Sequence, residues 1–179
     1  MRYLLIITSL CFFLFSSCEK EEITPDTDAA ITLGSESINF TSAFLQYGNT
    51  APPSSSRVTL HLLGENASIN SVGEVINLPS DMLRLNLQVP NSNGELISGI
   101  YPVSRVLPTE SNFVSSGLLI PAHDGSFANA LEVQSGMVEI TVLEDRIIIS
   151  LTLTVSGDFG EADFRQVKGQ TELPLIIIP

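Results

Sequence analysis

Apolar and polar residues alternate with a period of two along most of this chain, the signature of half-buried strands. Ile31 and Leu33 precede Gly34-Ser35, a turn signal. Ile38, Phe40, Ser42, Phe44 and Gln46 alternate with Asn39, Thr41, Ala43 and Leu45, which predicts one strand. Tyr47 to Ser56 contains Gly48, Pro52 and Pro53 and reads as a loop. Val58, Leu60 and Leu62 then alternate with Thr59, His61 and Leu63, so His61 is expected on the wet face. Gly64 to Ser80 is turn-rich. Leu83, Leu85, Leu87 and Val89 alternate with Arg84, Asn86 and Gln88, predicting a strand with one buried and one solvated face.

Further on, Asn93-Gly94 suits the positive φ of a tight turn. Leu96 to Val103 contains Gly99 and Pro102 and predicts a short edge strand. Phe113 to Ile120 predicts another strand, and Asp124-Gly125 a turn. The strongest hairpin signal joins Met137–Leu143 to Arg146–Val155 across Glu144-Asp145. Ser156 to Gly160 reads as a turn, and Asp163 to Ile178 supplies one or two last strands. Leu173 to Ile178, apolar throughout and containing Pro174, must be buried or paired, because a bare apolar edge aggregates. No segment holds a helical period. About eight or nine short strands divided by turn clusters predict an all-β fold: an antiparallel β-sandwich, with a partly open β-barrel as the alternative.

The first residues break this pattern. Arg2 is followed by an apolar run from Leu4 to Phe15, too short for the roughly 20 residues that span a bilayer. A basic start, a short apolar centre and a small-residue exit make a signal peptide. The exit is Ser16-Ser17-Cys18, which has no Ala-x-Ala cleavage pattern but offers a thiol for lipid. The expected organisation is therefore a lipoprotein signal peptide over 1–17, a lipidated N-terminus with an acidic linker over 18–29, and one domain over 30–179. One acyl chain binds a membrane only marginally, whereas two or three chains on Cys18 anchor stably. The linker, Ile-Thr-Pro-Asp-Thr-Asp over 23–28, has the composition of a spacer.

Composition narrows the function classes. Cys11 and Cys18 are the two cysteines, one in the signal and one at the lipid site, so neither a disulfide nor a cysteine zinc site is expected in the domain. The formal net charge is −12, with 20 Asp and Glu against 8 Lys and Arg. Nucleic acid, which needs clustered cations, is not an expected partner. The acids are spread along the chain, as in a solubility feature.

Candidate chemistry is sparse. His61 and His123 are the two histidines. His123-Asp124-Gly125-Ser126 gathers the residue types of a Ser-His-Asp triad, but adjacent residues do not build one by spacing, and there is no Gly-x-Ser-x-Gly elbow. A hairpin turn is the expected role of that run. Asp158, Glu161 and Asp163 put three carboxylates in one loop, the donor type that calcium takes, at spacings unlike an EF-hand. They are weak metal candidates beside the reading as a solvated turn. No catalytic residue and no cofactor is assigned. Sugar platforms rely on exposed aromatic faces, and this chain has no Trp.

Lys20, Glu21 and Glu22, just after Cys18, resemble the surface-export signal of Bacteroidetes lipoproteins. The order of later pieces resembles surface-exposed lipoproteins of that group with a single β-sandwich domain of unassigned function. Those pieces are Phe44 to Gly48, Gly99-Ile100-Tyr101, Ser135-Gly136-Met137-Val138 and Val167-Lys168-Gly169. The resemblance implies a protein held in the outer membrane by lipid and facing the cell exterior; the alternative reading of the run is a solvated acidic tether on a periplasm-facing anchor. It carries no catalytic residues to this chain. The expected function is a non-enzymatic binding or accessory module of the cell envelope, with a protein or glycan as ligand. The alternatives are a structural or adhesive subunit assembling by strand addition, and a hydrolase.

Overall fold

A computed structural model describes residues 30–48, 56–65, 68–70, 72, 74–77, 81–89, 95–104, 112–121, 130–157 and 163–178. Every regular element among them is a strand. In chain order these are β1 (Ile31–Leu33), β2 (Glu36–Ile38), β3 (Ser42–Tyr47), β4 (Ser56–Leu63), β5 (Ser68–Ile69), β6 (Val75–Asn77), β7 (Met82–Val89), β8 (Gly99–Pro102), β9 (Phe113–Ile120), β10 (Leu131–Val142), β11 (Arg146–Ser156) and β12 (Phe164–Ile178). The all-β expectation holds.

The sandwich gives way to a barrel. Strands β3, β4, β7, β9, β10, β11 and β12 form a closed ring of seven, each bonded to the next in chain order. The long last strand closes it. β12 pairs antiparallel with β11 from Phe164 to Pro174, then pairs in parallel with β3 from Leu175 to Ile178. Strand direction cannot alternate all the way round an odd-numbered ring, so one parallel pair is required, and β12–β3 supplies it. The apolar end 173–178 thus meets the need seen in the sequence: Leu175 lies opposite Ala43 and Ile178 opposite Gln46. Hairpin β1–β2 extends the wall from β12, and β8 lies against β10.

In β4 and β7 the inward positions follow the predicted alternation, and β11 has the same period, while Gln88, expected on the wet face, is buried. Val58, Leu60 and Leu62 of β4, Leu83, Leu85, Leu87 and Val89 of β7, and Ile147, Ile149, Leu151, Leu153 and Val155 of β11 are all buried in one core. Side chains can fill even an eight-stranded barrel, and a seven-stranded one is narrower still. Tyr101 of β8 is fully buried against this core and donates its hydroxyl to the Ile97 carbonyl at 2.6 Å. Burial pushes its phenol up to about 12.

Two devices curl the wall. Bulges interrupt the register at Gln134 of β10, between Val133 and Ser135, and at Ser115 of β9, opposite Asn86 and Leu87. Such bulges bend and twist a strand. Gly136 and Gly169 pair with Leu153 and Leu151, with φ of 118° and 140°. A Cβ on Gly169 would lie 2.5 Å from the Ala30 carbonyl oxygen and 2.7 Å from the Ile31 Cα.

The predicted strand 38–46 is broken. Asn39 leaves the sheet and gives its N–H to the Asp81 carboxylate at 3.1 Å. The break resets the alternation: Ala43 and Leu45 turn inward, while Phe44 faces out. The turn-rich stretch 64–80 contains the β5–β6 hairpin, a two-stranded sheet of its own.

Candidate functional site

Residues directly opposite one another in a sheet share a face. The outward face of β3, β4, β7 and β9 therefore reads as successive rows. At one end Leu63 lies opposite Met82, and Met82 opposite Ile120. The next row is Phe44, His61, Arg84 and Leu118, followed by Gln46, Thr59, Asn86 and Ser116. Arg57, Gln88 and Phe113 come after these, with Gln88 and Phe113 both buried.

The apolar end is covered. Leu63, Met82 and Ile120 form a small second core, with Phe44, Leu118 and Ala130 and with Ile69 and Val75 of the β5–β6 hairpin packed on it. Asn70 shapes that hairpin by accepting the N–H groups of Val72 and Glu74 at 3.1 and 2.8 Å. Its amide donates to the Glu74 carboxylate at 3.0 Å. The tip is tied down where Gln46 Nε2 donates to the Val72 carbonyl at 3.0 Å.

His61 lies between these two attachments. It is 5% exposed, and among the described residues neither Nδ1 nor Nε2 has a hydrogen-bond partner. This corrects the expected wet position. Alternation placed the side chain on the outward face, and the hairpin packed on that face removes it from water. Burial, reinforced by the neighbouring Arg84 charge, lowers its pKa to about 4. The ring is neutral at pH 7. Among the described residues no carboxylate is bonded to either ring nitrogen.

Between the hairpin and the buried Gln88 the face is polar and accessible in part. Thr59 Oγ1 donates to Asn86 Oδ1 at 3.1 Å, and Asn86 Nδ2 donates to Ser116 Oγ at 2.7 Å. Ser115 Oγ, in the adjoining bulge, donates to the Asn86 carbonyl at 2.9 Å. Arg57 and Arg84 are exposed at the two sides of this row. Hydroxyls, amides and guanidinium groups are the donors and acceptors that suit polar and anionic groups.

The other expected site residues are placed as follows. Cys18, Lys20, Glu21, Glu22, His123, Asp124, Ser126, Asp158 and Glu161 lie outside the described residues. Asp163 is exposed, with its carboxylate 3.9 Å from Arg165 Nε. Among the described residues, no three of His, Cys, Asp and Glu stand close enough to hold a metal ion. A shallow depression of about 400 Å³ lies on the far wall, lined by Thr32, Ser150, Thr152, Lys168 and Gln170 among others. The polar row of β3, β4, β7 and β9 went unread in the sequence, because its members come from separate strands and only cross-strand register assembles them.

No protein-family model, no curated protein and no solved structure matches this chain.

Proposed function

We propose that this protein is a lipid-anchored, non-enzymatic binding module of the outer membrane, tethered through Cys18 and displayed on the cell exterior. The observation that carries the reading is the N-terminal sequence: a short apolar run ending at Ser16-Ser17-Cys18, followed by Lys20, Glu21 and Glu22. The filled barrel supports the binding half. Its inward positions are taken by packed aliphatic side chains such as Leu60, Leu85 and Leu151, so recognition falls to the outer wall. The β-sandwich lipoproteins of Bacteroidetes stay a proposed kinship of sequence pieces, with a barrel in place of their sandwich. A protein or a glycan is the proposed ligand class.

The test is metabolic labelling with a fatty acid, combined with protease added to intact cells. Wild-type protein is expected to take up label and to be cleaved from outside. Cys18→Ser should lose the label and leave the membrane fraction, and alanine at Lys20, Glu21 and Glu22 should reduce external cleavage. A Cys18→Ser protein that still sediments with membranes overturns the anchor. Unchanged cleavage after the triple replacement overturns surface display.

Assembly by strand addition is the second reading, favoured by the exposed Ile176 and Ile177 at the end of β12. It is the weaker one, because β3 already occupies one edge of that segment.

A further inference from the structure

Charge is unevenly divided over the barrel wall. The chain carries 20 Asp and Glu, yet β3, β4, β7 and β9 contain none of them. The opposite wall holds Glu132 and Glu139 on β10 and Glu172 on β12. Cations are divided less sharply: Lys168 of β12 is exposed and has no ion pair among the described residues. Arg146 is paired with Asp145 and Glu172, and Arg165 with Asp163. Arg57 and Arg84, both on the acid-free wall and both exposed, have no ion pair among the described residues. Two exposed guanidinium groups on one face of a strongly acidic protein, without an ion pair among the described residues, present a local site for anions.

What lies between the arginines indicates the kind of anion. Arg57 sits four positions from His61, which is opposite Arg84, so the two side chains are rooted about 13 Å apart along the strands. Gln46, Thr59, Asn86 and Ser116 fill the interval, all accessible in part and without a large apolar residue among them. A protein partner prefers an apolar centre with aromatic or aliphatic anchors. A polyhydroxylated chain needs amide and hydroxyl partners along its length, and its carboxylates need guanidinium forks. Such recognition does not depend on the aromatic platform that this tryptophan-free chain lacks.

We infer that the acid-free outer wall of β3, β4, β7 and β9, with Arg57 and Arg84 flanking the Gln46–Thr59–Asn86–Ser116 row, binds an acidic polysaccharide. This deepens the proposed binding function by naming its surface and ligand class. The hydroxyl and amide groups contact sugar hydroxyls, and the two arginines clamp carboxylates a few sugar units apart. Glu65 and Glu74 lie beyond the row, in the turn after β4 and in the β5–β6 hairpin, where Glu74 is held by Asn70.

The full chain purified in detergent is titrated calorimetrically with polygalacturonate, neutral dextran and polyglutamate. Binding is expected for polygalacturonate alone, weakening as salt is raised. The Arg57→Ser/Arg84→Ser double variant should lose at least about tenfold in affinity, two charge-assisted contacts being removed, while keeping its thermal midpoint. Arg57→Lys/Arg84→Lys should lose less. Asn86→Asp, which sets a carboxylate in the row, should weaken binding without touching either arginine. Polygalacturonate binding that is absent, or unchanged in the serine variant, overturns the assignment. So does equal or tighter binding of polyglutamate, which would make the partner an acidic peptide, or of dextran, which would remove the role of charge. Because the titration uses purified protein, its failure leaves the anchoring test standing, and failure of the anchoring test leaves this one interpretable.

Discussion

His61 is a neutral imidazole buried with both nitrogens unbonded among the described residues, a costly arrangement because desolvated polar groups lose their hydrogen bonds to water. Its folded pKa, about 4, lies below the ordinary 6.5 because burial, and then Arg84, disfavour the charged ring. The unfolded chain therefore takes up a proton first. Stability linked to the neutral ring is complete above pH 6.5 and is lost as pH falls through 6.5 towards 4. At about 1.4 kcal/mol per unit, the interval corresponds to roughly 3 kcal/mol. His61→Phe keeps an aromatic ring in the site and removes the titration. Its unfolding free energy, measured in denaturant, is expected to fall less between pH 7 and pH 4.5 than that of wild type. Equal acid slopes in the two proteins would falsify the assignment. The sequence placed His61 on the correct face, but its burial was not legible, since the covering hairpin comes from residues 68–77 and packs from outside.

At the scale of elements, alternation was a sound guide inside strands and a poor one across breaks. β4 and β7 turn the predicted residues inward because each is an uninterrupted run. The stretch 38–46 reads as equally regular, yet the bond from Asn39 N–H to Asp81 takes the chain out of the sheet and reverses which of Ala43 and Phe44 faces the core. Glycine positions were visible while their purpose was not. Gly169 is where β1 crosses closely beside β12, and any Cβ there meets the backbone of Ala30 and Ile31. With φ at 140°, Gly169→Ala combines backbone strain with overpacking. The expected loss is about 2–3 kcal/mol, read as a lower denaturant midpoint. The contrasting variant is Gly34→Ala, at a turn with nothing within 4 Å of its Cβ and φ of 61°. It meets strain alone and should lose less. A Gly169→Ala protein as stable as wild type would show that β1 can move aside freely.

The whole molecule depends on one seam. Each antiparallel pair in the ring joins strands that follow one another in order, but β12 must return to β3 across most of the chain, Leu175 meeting Ala43. Truncation after Pro174 removes the parallel pairing, the buried Ile178 and the packing of Leu175 on the core. It also bares the edge of β3, and exposed edges recruit other chains. The truncated protein is expected to lose at least about 3 kcal/mol and to self-associate in sedimentation experiments. A monomer with an unaltered unfolding midpoint would show that the ring does not need closing.

By itself, the sequence determined the all-β class, the inward residues of the continuous strands, the hairpin 137–155 and the need to pair the apolar end. These are local properties: a period of two, turn residues, and a run too apolar to leave bare. It also supplied the expectation of a lipid-bearing Cys18, which is a property of a short linear signal. Only the tertiary structure decided that the strands close into a ring, that His61 is sealed under a hairpin, and that Arg57 and Arg84 share an acid-free wall. Those features rest on which strand meets which and in what register. Residues far apart in the chain become neighbours through backbone hydrogen bonds whose partners alternation does not name.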